Sequence, residues 1–316
     1  MNIVYLDGYT VNPGDLSWEP LEKLGNFTVY PRTSPEQVIE RSKEADILIT
    51  NKVRLNKEEL KLLPSLKYIG VSATGYDVVN MPAAKERNLT VTNVPGYGTI
   101  SVAQHVFALI LSLTNHVRLH AELNWKGKWS ASNDWCYWEQ PLVELSGKTL
   151  GIVGLGAIGQ QTANIGQAFG MKVIATRRDM SKSYPGVELV NMERLFSESD
   201  VISLSCPLTE ENRGFVGKNL LDMMKPTSFL INTARGPLIK EDELAEALIA
   251  GKIAGAGLDV LSQEPPVGGH PLENIPNCLI TPHIAWASQE ARGRLLGILA
   301  DNIATYIAGK PQNVVS

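Results

Sequence analysis

The sequence predicts a two-domain α/β protein built on parallel sheets. Short β-rich runs alternate with helical patterns over nearly the whole chain, the signal of strands joined by helical crossovers. The runs fall into two sets, separated by one long segment with an apolar stripe. The length of 316 residues, at roughly 150 per domain, also points to two domains.

In the first set, strands are expected at 3–7, 27–30, 47–50, 68–71 and 91–93, with helical stretches such as 35–44 and 57–62 between them. A helix follows from Ser101 to about Leu123. Its Val102, Val106, Leu109, Ile110 and Leu113 recur at helical spacing, which suits a connector between domains. The segment 124–141 then holds Trp125, Trp129, Trp135, Tyr137 and Trp138, including four of the chain's six tryptophans. It reads as core or domain-interface packing, or else as a dimer arm or pocket wall, since large aromatics dominate interfaces. The second set is expected at 149–153, 173–176, 201–204, 229–232, 257–260 and 279–281.

Charge and composition remove several function classes. Basic residues number 29 and acidic ones 33, a net charge of −4, which argues against a nucleic-acid groove or a polybasic membrane patch. Apolar stretches fall short of the roughly 18 residues that span a bilayer. The start, Asn2-Ile3-Val4-Tyr5-Leu6-Asp7, lacks the basic flank of a signal peptide. Cys136, Cys206 and Cys278 stand far apart, so neither a disulfide framework nor a structural metal is expected, and a cytoplasmic setting fits. His116 and His120 share a helix face but have no acidic or thiol partner, so a solvated face is preferred over a metal site.

Gly154-Leu155-Gly156-Ala157-Ile158-Gly159 follows the strand 149–153 and opens a helix reaching about Phe169. In that context the string is a dinucleotide fingerprint. Gly154 permits the tight turn, Gly156 lets a pyrophosphate approach the backbone, and Gly159 allows close helix–strand packing. The helix start at Ala157 and Ile158 supplies N–H groups and a positive dipole end to the anion. The next strand should end in an acid that holds a ribose hydroxyl. Arg177 and Arg178 stand there instead, and guanidinium groups would pair a 2′-phosphate. NADP(H) is therefore favoured; Asp179, two residues late, keeps NAD(H) open.

Three further segments place reactive groups at expected strand ends, where ligands bind in open α/β sheets. These are Asn232-Thr233-Ala234-Arg235-Gly236, Asp259 with Glu264-Pro265-Pro266, and Thr281-Pro282-His283. Singly each means little, because a lone Arg or Glu at a loop edge is usually solvated and a lone His is usually structural.

Taken together, in this order and spacing, these motifs make the chain resemble the D-isomer-specific 2-hydroxyacid dehydrogenases over nearly its whole length. Ser72-Ala73-Thr74-Gly75-Tyr76-Asp77, residues 97–105 and Trp135-Cys136-Tyr137-Trp138 are similar to the glycerate dehydrogenase and hydroxypyruvate reductase group. The resemblance implies two Rossmann-like domains: a substrate domain of 1–98 plus 287–316, with a dinucleotide domain of 99–286 inserted. It implies a cleft between them that closes on binding, and a homodimer to which the long helix and aromatic segment contribute.

It also implies the chemistry. Reducing a 2-keto acid needs a hydride, a proton and a cation for the carboxylate. The nicotinamide supplies the hydride. Protonated His283 would donate the proton, an imidazole being suited by its ordinary pKa of about 6.5. Glu264 would favour the imidazolium and orient the ring, while Arg235 would bind the carboxylate and polarise the keto oxygen. Oxidation would need neutral His283 as base. By the same resemblance Ala73, Thr74 and Gly75 offer backbone N–H groups to the substrate carboxylate. Asp259 lies near the nicotinamide, Cys206, Pro207, Thr233 and Thr99 line the cofactor, and Trp138 shapes the substrate pocket. The expected reaction is hydroxypyruvate to D-glycerate, with glyoxylate second. A D-lactate- or phosphoglycerate-type dehydrogenase, or a dinucleotide-sensing corepressor-like protein, remains an alternative.

Overall fold

The computed structural model describes residues 1–266 and 268–316. The chain divides into two compact units, Met1–Gly98 with Trp286–Ser316, and Thr99–Ala285. Each is organised on one parallel sheet.

The first unit contains β1 (Asn2–Tyr5), β2 (Asn26–Val29), β3 (Ile47–Thr50), β4 (Tyr68–Val71) and β5 (Thr90–Thr92), in the order β2-β1-β3-β4-β5. Ile3 lies opposite Phe27 on one side and Ile47 on the other. Every residue of β3 and β4 is buried, which is why both read as continuous rather than alternating apolar runs. The helix Lys57–Lys61 starts at a capping box, in which the Asn56 N–H donates to Glu59 Oε2 at 2.9 Å. The last helix, Gln289–Ile307, is capped by Ser288 and buries Leu295, Leu299 and Ile303 against the sheet. From it Arg292 makes two parallel bonds to Asp15, 2.7 Å and 2.6 Å, and a third to the Val11 carbonyl. The chain re-enters this unit at Trp286 rather than at the expected 287. Its ring packs edge-on against Tyr97, at 6.2 Å, and so belongs to this core.

The second unit contains β6 (Thr149–Val153), β7 (Lys172–Thr176), β8 (Val187–Leu189), β9 (Val201–Leu204), β10 (Phe229–Asn232), β11 (Gly255–Leu258) and β12 (Cys278–Ile280). Their order is β12-β11-β10-β9-β6-β7-β8. From β6 the chain builds outward to β8, then crosses back and builds the other way from β9. That reversal opens a crevice beyond the carboxyl ends of β6 and β9, the place where open α/β sheets bind ligands. The helix Thr99–Asn115 lies close on β11 because residues 255 and 257 are glycines. A Cβ on Gly257 would stand 3.0 Å from that of Leu109.

Three elements depart from expectation. The helix expected to run from 101 to about 123 breaks at His116, whose φ is +48°, and continues as Val117–Trp125. The buried stripe of the first segment stops at Leu113 and Thr114, and no residue of the second is buried, so no core face holds the two in line. The short edge strand β8 is only partly buried and left no apolar run to detect. β11 lies two residues early, which puts Asp259 in the loop after it rather than at its end.

Candidate active site

The glycine turn has the geometry a bound pyrophosphate requires. Gly154 has φ +99°, and a Cβ there would meet the Cys206 backbone at 2.7 Å. Gly159, in the first turn of the helix Ala157–Ala168, is closed by the Gly154 carbonyl, 2.2 Å from where its Cβ would be. Gly156 differs: nothing lies within 4 Å of a Cβ added there, so its missing side chain leaves open space in front of the helix N-terminus. Across the reversal, Ser205 Oγ and Thr233 Oγ1 are buried without a hydrogen-bond partner in the protein. An open anion cradle and two orphaned hydroxyls near the same strand ends fit a dinucleotide. Cys206 and Pro207 follow β9 beside Gly154, and burial raises the Cys206 thiol, which keeps it neutral. Thr99 opens the helix Thr99–Asn115.

Arg177 and Arg178 directly follow β7. Asp179, the first acid after β7, is turned back on its own loop. Its Oδ1 accepts from the Ser181 hydroxyl at 2.6 Å and from the Ser181 N–H at 3.1 Å, and Lys182 is 3.5 Å from Oδ2. The Ser181 bonds chiefly hold its carboxyl below the usual range.

The segment after β10 is shaped by Asn232, whose side chain donates to the Arg235 carbonyl and accepts from the Ala234 N–H. Arg235 is exposed, with Nη1 donating to the Ala234 carbonyl at 2.7 Å. Gly236 touches the next segment directly: a Cβ there would stand 1.9 Å from the Leu261 carbonyl carbon. Backbone contact therefore sets the Arg235 turn against the loop carrying Glu264. In that loop the Leu261 N–H donates to Glu264 Oε1 at 2.9 Å, while Oε2 lies 2.6 Å from His283 Nδ1.

His283 has φ +54°, an uncommon conformation for a residue with a side chain. Its N–H reaches the carbonyls of Thr281 and Asp259, both at 2.9 Å. The Asp259 carboxylate is 1% exposed and is taken up by this loop. It accepts from the Ile284 N–H, the Ala285 N–H and the Thr281 hydroxyl, at 2.9, 2.8 and 2.6 Å. Asp259 thus clamps the His283 turn, with three donors converging on its carboxylate once β11 and β12 are adjacent. His105 Nε2, 3.0 Å from Thr281 Oγ1, adds a bond that no sequence spacing announces.

In the first unit, Ala73, Thr74 and Gly75 follow β4. Thr74 Oγ1 donates to the Val94 carbonyl, and the Val94 N–H donates to the Ala73 carbonyl. The aromatic segment is not core. Trp125, Trp129, Trp135 and Trp138 are all exposed, Trp135 by 89%. Among the described residues no group of three or more His, Cys, Asp or Glu side chains could hold a metal ion. Both His120 nitrogens are engaged, Nδ1 with the His116 carbonyl and Nε2 with the Glu139 N–H. No single described helix is long and apolar enough to cross a membrane.

A family model described as D-isomer specific 2-hydroxyacid dehydrogenase, NAD binding domain, matches residues 107–285. A hydroxypyruvate reductase from Blautia hydrogenotrophica is 47% identical over 321 residues, covering 100% of both chains. A glycerate dehydrogenase from Methylorubrum extorquens is 43% identical over 284 residues, 89% of each. An acyclic imino acid reductase, solved in complex with NADPH and D-Arg, matches the structure with a TM-score of 0.88 at 34% identity over 100% of both chains.

Proposed function

The chain belongs to the D-isomer-specific 2-hydroxyacid dehydrogenases, and from that premise we propose that it reduces hydroxypyruvate to D-glycerate, with glyoxylate as a second substrate. As a member it is an NAD(P)-dependent oxidoreductase acting on a small 2-keto acid. The full-length identity of 47% to a hydroxypyruvate reductase carries the choice of substrate.

When bound, the nicotinamide supplies the hydride. The protein supplies the proton and the charge. Glu264 occupies His283 Nδ1, so Nε2 is the nitrogen that delivers a proton to the keto oxygen. The Glu264 carboxylate stabilises the positive ring before transfer and keeps its orientation. Arg235 pairs with the substrate carboxylate and draws charge toward the developing alkoxide. Ala73, Thr74 and Gly75 form an anion grip at the end of β4. Gly154 to Gly159 take the pyrophosphate, while Thr233 and Cys206-Pro207 line the cofactor. Thr99 adds a cofactor contact and Trp138 a wall of the substrate pocket.

NADP(H) is the preferred cofactor. Arg177 and Arg178 directly after β7 support this, since guanidinium groups would pair a 2′-phosphate, and Asp179 is committed to Ser181. The protein works as a homodimer, supported by the four exposed tryptophans of one segment, since exposed clusters of large aromatics mark interfaces.

Initial rates with hydroxypyruvate, glyoxylate, pyruvate and 3-phosphohydroxypyruvate, each with NADPH and NADH, test the reading. The expected result is the highest kcat/KM with hydroxypyruvate and NADPH. A preference for pyruvate or the phosphorylated acid moves the enzyme to a sister activity. Absence of turnover on all four would leave the sensor reading standing.

A further inference from the structure

Behind the loop that carries Glu264 lies a second histidine–carboxylate pair that the chemistry above does not use. His270 Nε2 and Glu241 Oε2 are 3.2 Å apart, and their side chains are only 11% and 13% exposed. Glu241 is the first residue of the helix Glu241–Ile249. Its other oxygen, Oε1, accepts the Ser262 N–H at 2.7 Å. Ser262 is two residues before Glu264.

The far side of the pair is anchored as well. His270 Nδ1 accepts the Leu272 N–H at 3.3 Å, so the neutral ring carries its proton on Nε2 and donates it to Glu241. Leu272 is buried in the core of this unit. The charged neighbours are otherwise engaged: Lys240 pairs with Glu243 at 3.1 Å, and Glu273 accepts the Gly269 N–H. Three contacts thus locate the start of the loop: Gly236 under Leu261, Glu241 on Ser262, and Glu264 on the Leu261 N–H. Of these, the Glu241 contact ties the loop to the start of the helix Glu241–Ile249.

We infer that Glu241 and His270 form a positioning pair, which holds the Ser262–Glu264 backbone so that Glu264 meets His283. The inference rests on the acid pair assigned under the proposed function. Neither residue touches substrate or cofactor; both act through Glu264. Removing the Glu241 carboxylate releases the Ser262 N–H and leaves His270 without its acceptor. Glu264 then wanders from His283 Nδ1, and small misplacements of a catalytic group are costly in rate.

The test compares E241A, E241Q, H270A, E264Q and the double variant E241A/E264Q. The readouts are kcat and KM for reduction across pH, cofactor affinity by fluorescence, and Tm. E241A and H270A should lower kcat roughly tenfold. They should also change the pH profile of reduction in the same sense as E264Q, with cofactor affinity unchanged. E241Q keeps an acceptor for Ser262 and should recover part of both effects. The double variant should have the pH profile of E264Q, since the pair acts only through that residue. An E241A enzyme with lower Tm but an unmoved pH profile overturns the inference, as does an additive shift in the double variant. If E264Q itself leaves the profile unmoved, the acid-pair assignment fails instead.

Discussion

Glu264 Oε2 lies 2.6 Å from His283 Nδ1, although the two residues are 19 positions apart and leave different loops. The contact is made while His283 holds a left-handed backbone conformation, which the Asp259 carboxylate and its donors enforce. A strained residue locked by buried hydrogen bonds is how a fold keeps a reacting group in one orientation.

His283→Ala should lower kcat/KM for keto-acid reduction by about 10²- to 10⁴-fold, the usual worth of a positioned acid. Glu264→Gln should lower it less and alter its pH dependence, because the ring loses the carboxylate that holds Nδ1. Rate–pH profiles check this.

Asp259→Asn places an amide donor among N–H groups that need an acceptor. The expected cost is about 1–3 kcal/mol for the bonds left unmade. Thermal unfolding should show a lowered Tm, and kcat should fall because the His283 turn is released. An Asn variant with native Tm and native kcat would contradict the clamp.

Gly156→Val and Gly159→Val should part company. The first has open space at its Cβ and no positive φ, so it should fold with native Tm and lose NADPH binding. The second drives a side chain into the Gly154 carbonyl and should unfold at lower temperature. Cofactor titration beside differential scanning fluorimetry separates the two outcomes.

Replacing both Arg177 and Arg178 with Ala should lower kcat/KM for NADPH by roughly ten- to a hundredfold, the worth of a charge-assisted bond. The NADH value should change little. Equal losses with both cofactors would mean that the arginines serve the loop rather than the phosphate.

Arg292 bonds to Asp15 and thereby holds its carboxyl below the usual carboxylate range. A depressed folded-state pKa means that this stabilisation is fully present above the unfolded value of about 3.9 and is lost as pH falls through the lower folded value. Arg292→Met should flatten that acid-side dependence while lowering stability at neutral pH. Urea titrations at pH 7 and near pH 3 measure it.

Some of this was legible in the chain because the requirement is local. Gly154, Gly156 and Gly159 answer to a single strand–turn–helix, so their spacing alone identifies the turn. Buried parallel strands such as β3 and β4 announce themselves as unbroken apolar runs. The pairing of Glu264 with His283 was suggested by the order of motifs, but its distance was not. The aromatic segment misled in one respect. Tryptophans signal burial by composition, and only the solvent around Trp135 shows that this segment has no core to enter within the monomer.

The alternation of strand and helix, the glycine turn ahead of the helix Ala157–Ala168 and the candidate reactive residue types are legible in the chain alone, because each depends on a few neighbouring side chains. Tertiary structure alone decided that Asp259 clamps the His283 turn, that Glu241 and His270 meet behind Glu264, and that the long helix breaks at His116. Those outcomes depend on which strands lie side by side and on which faces find a partner. The bonds of Glu241 with Ser262 and His270, and of Asp259 with Thr281, span more than 20 positions and exist only once the β10-β11-β12 order brings their loops together.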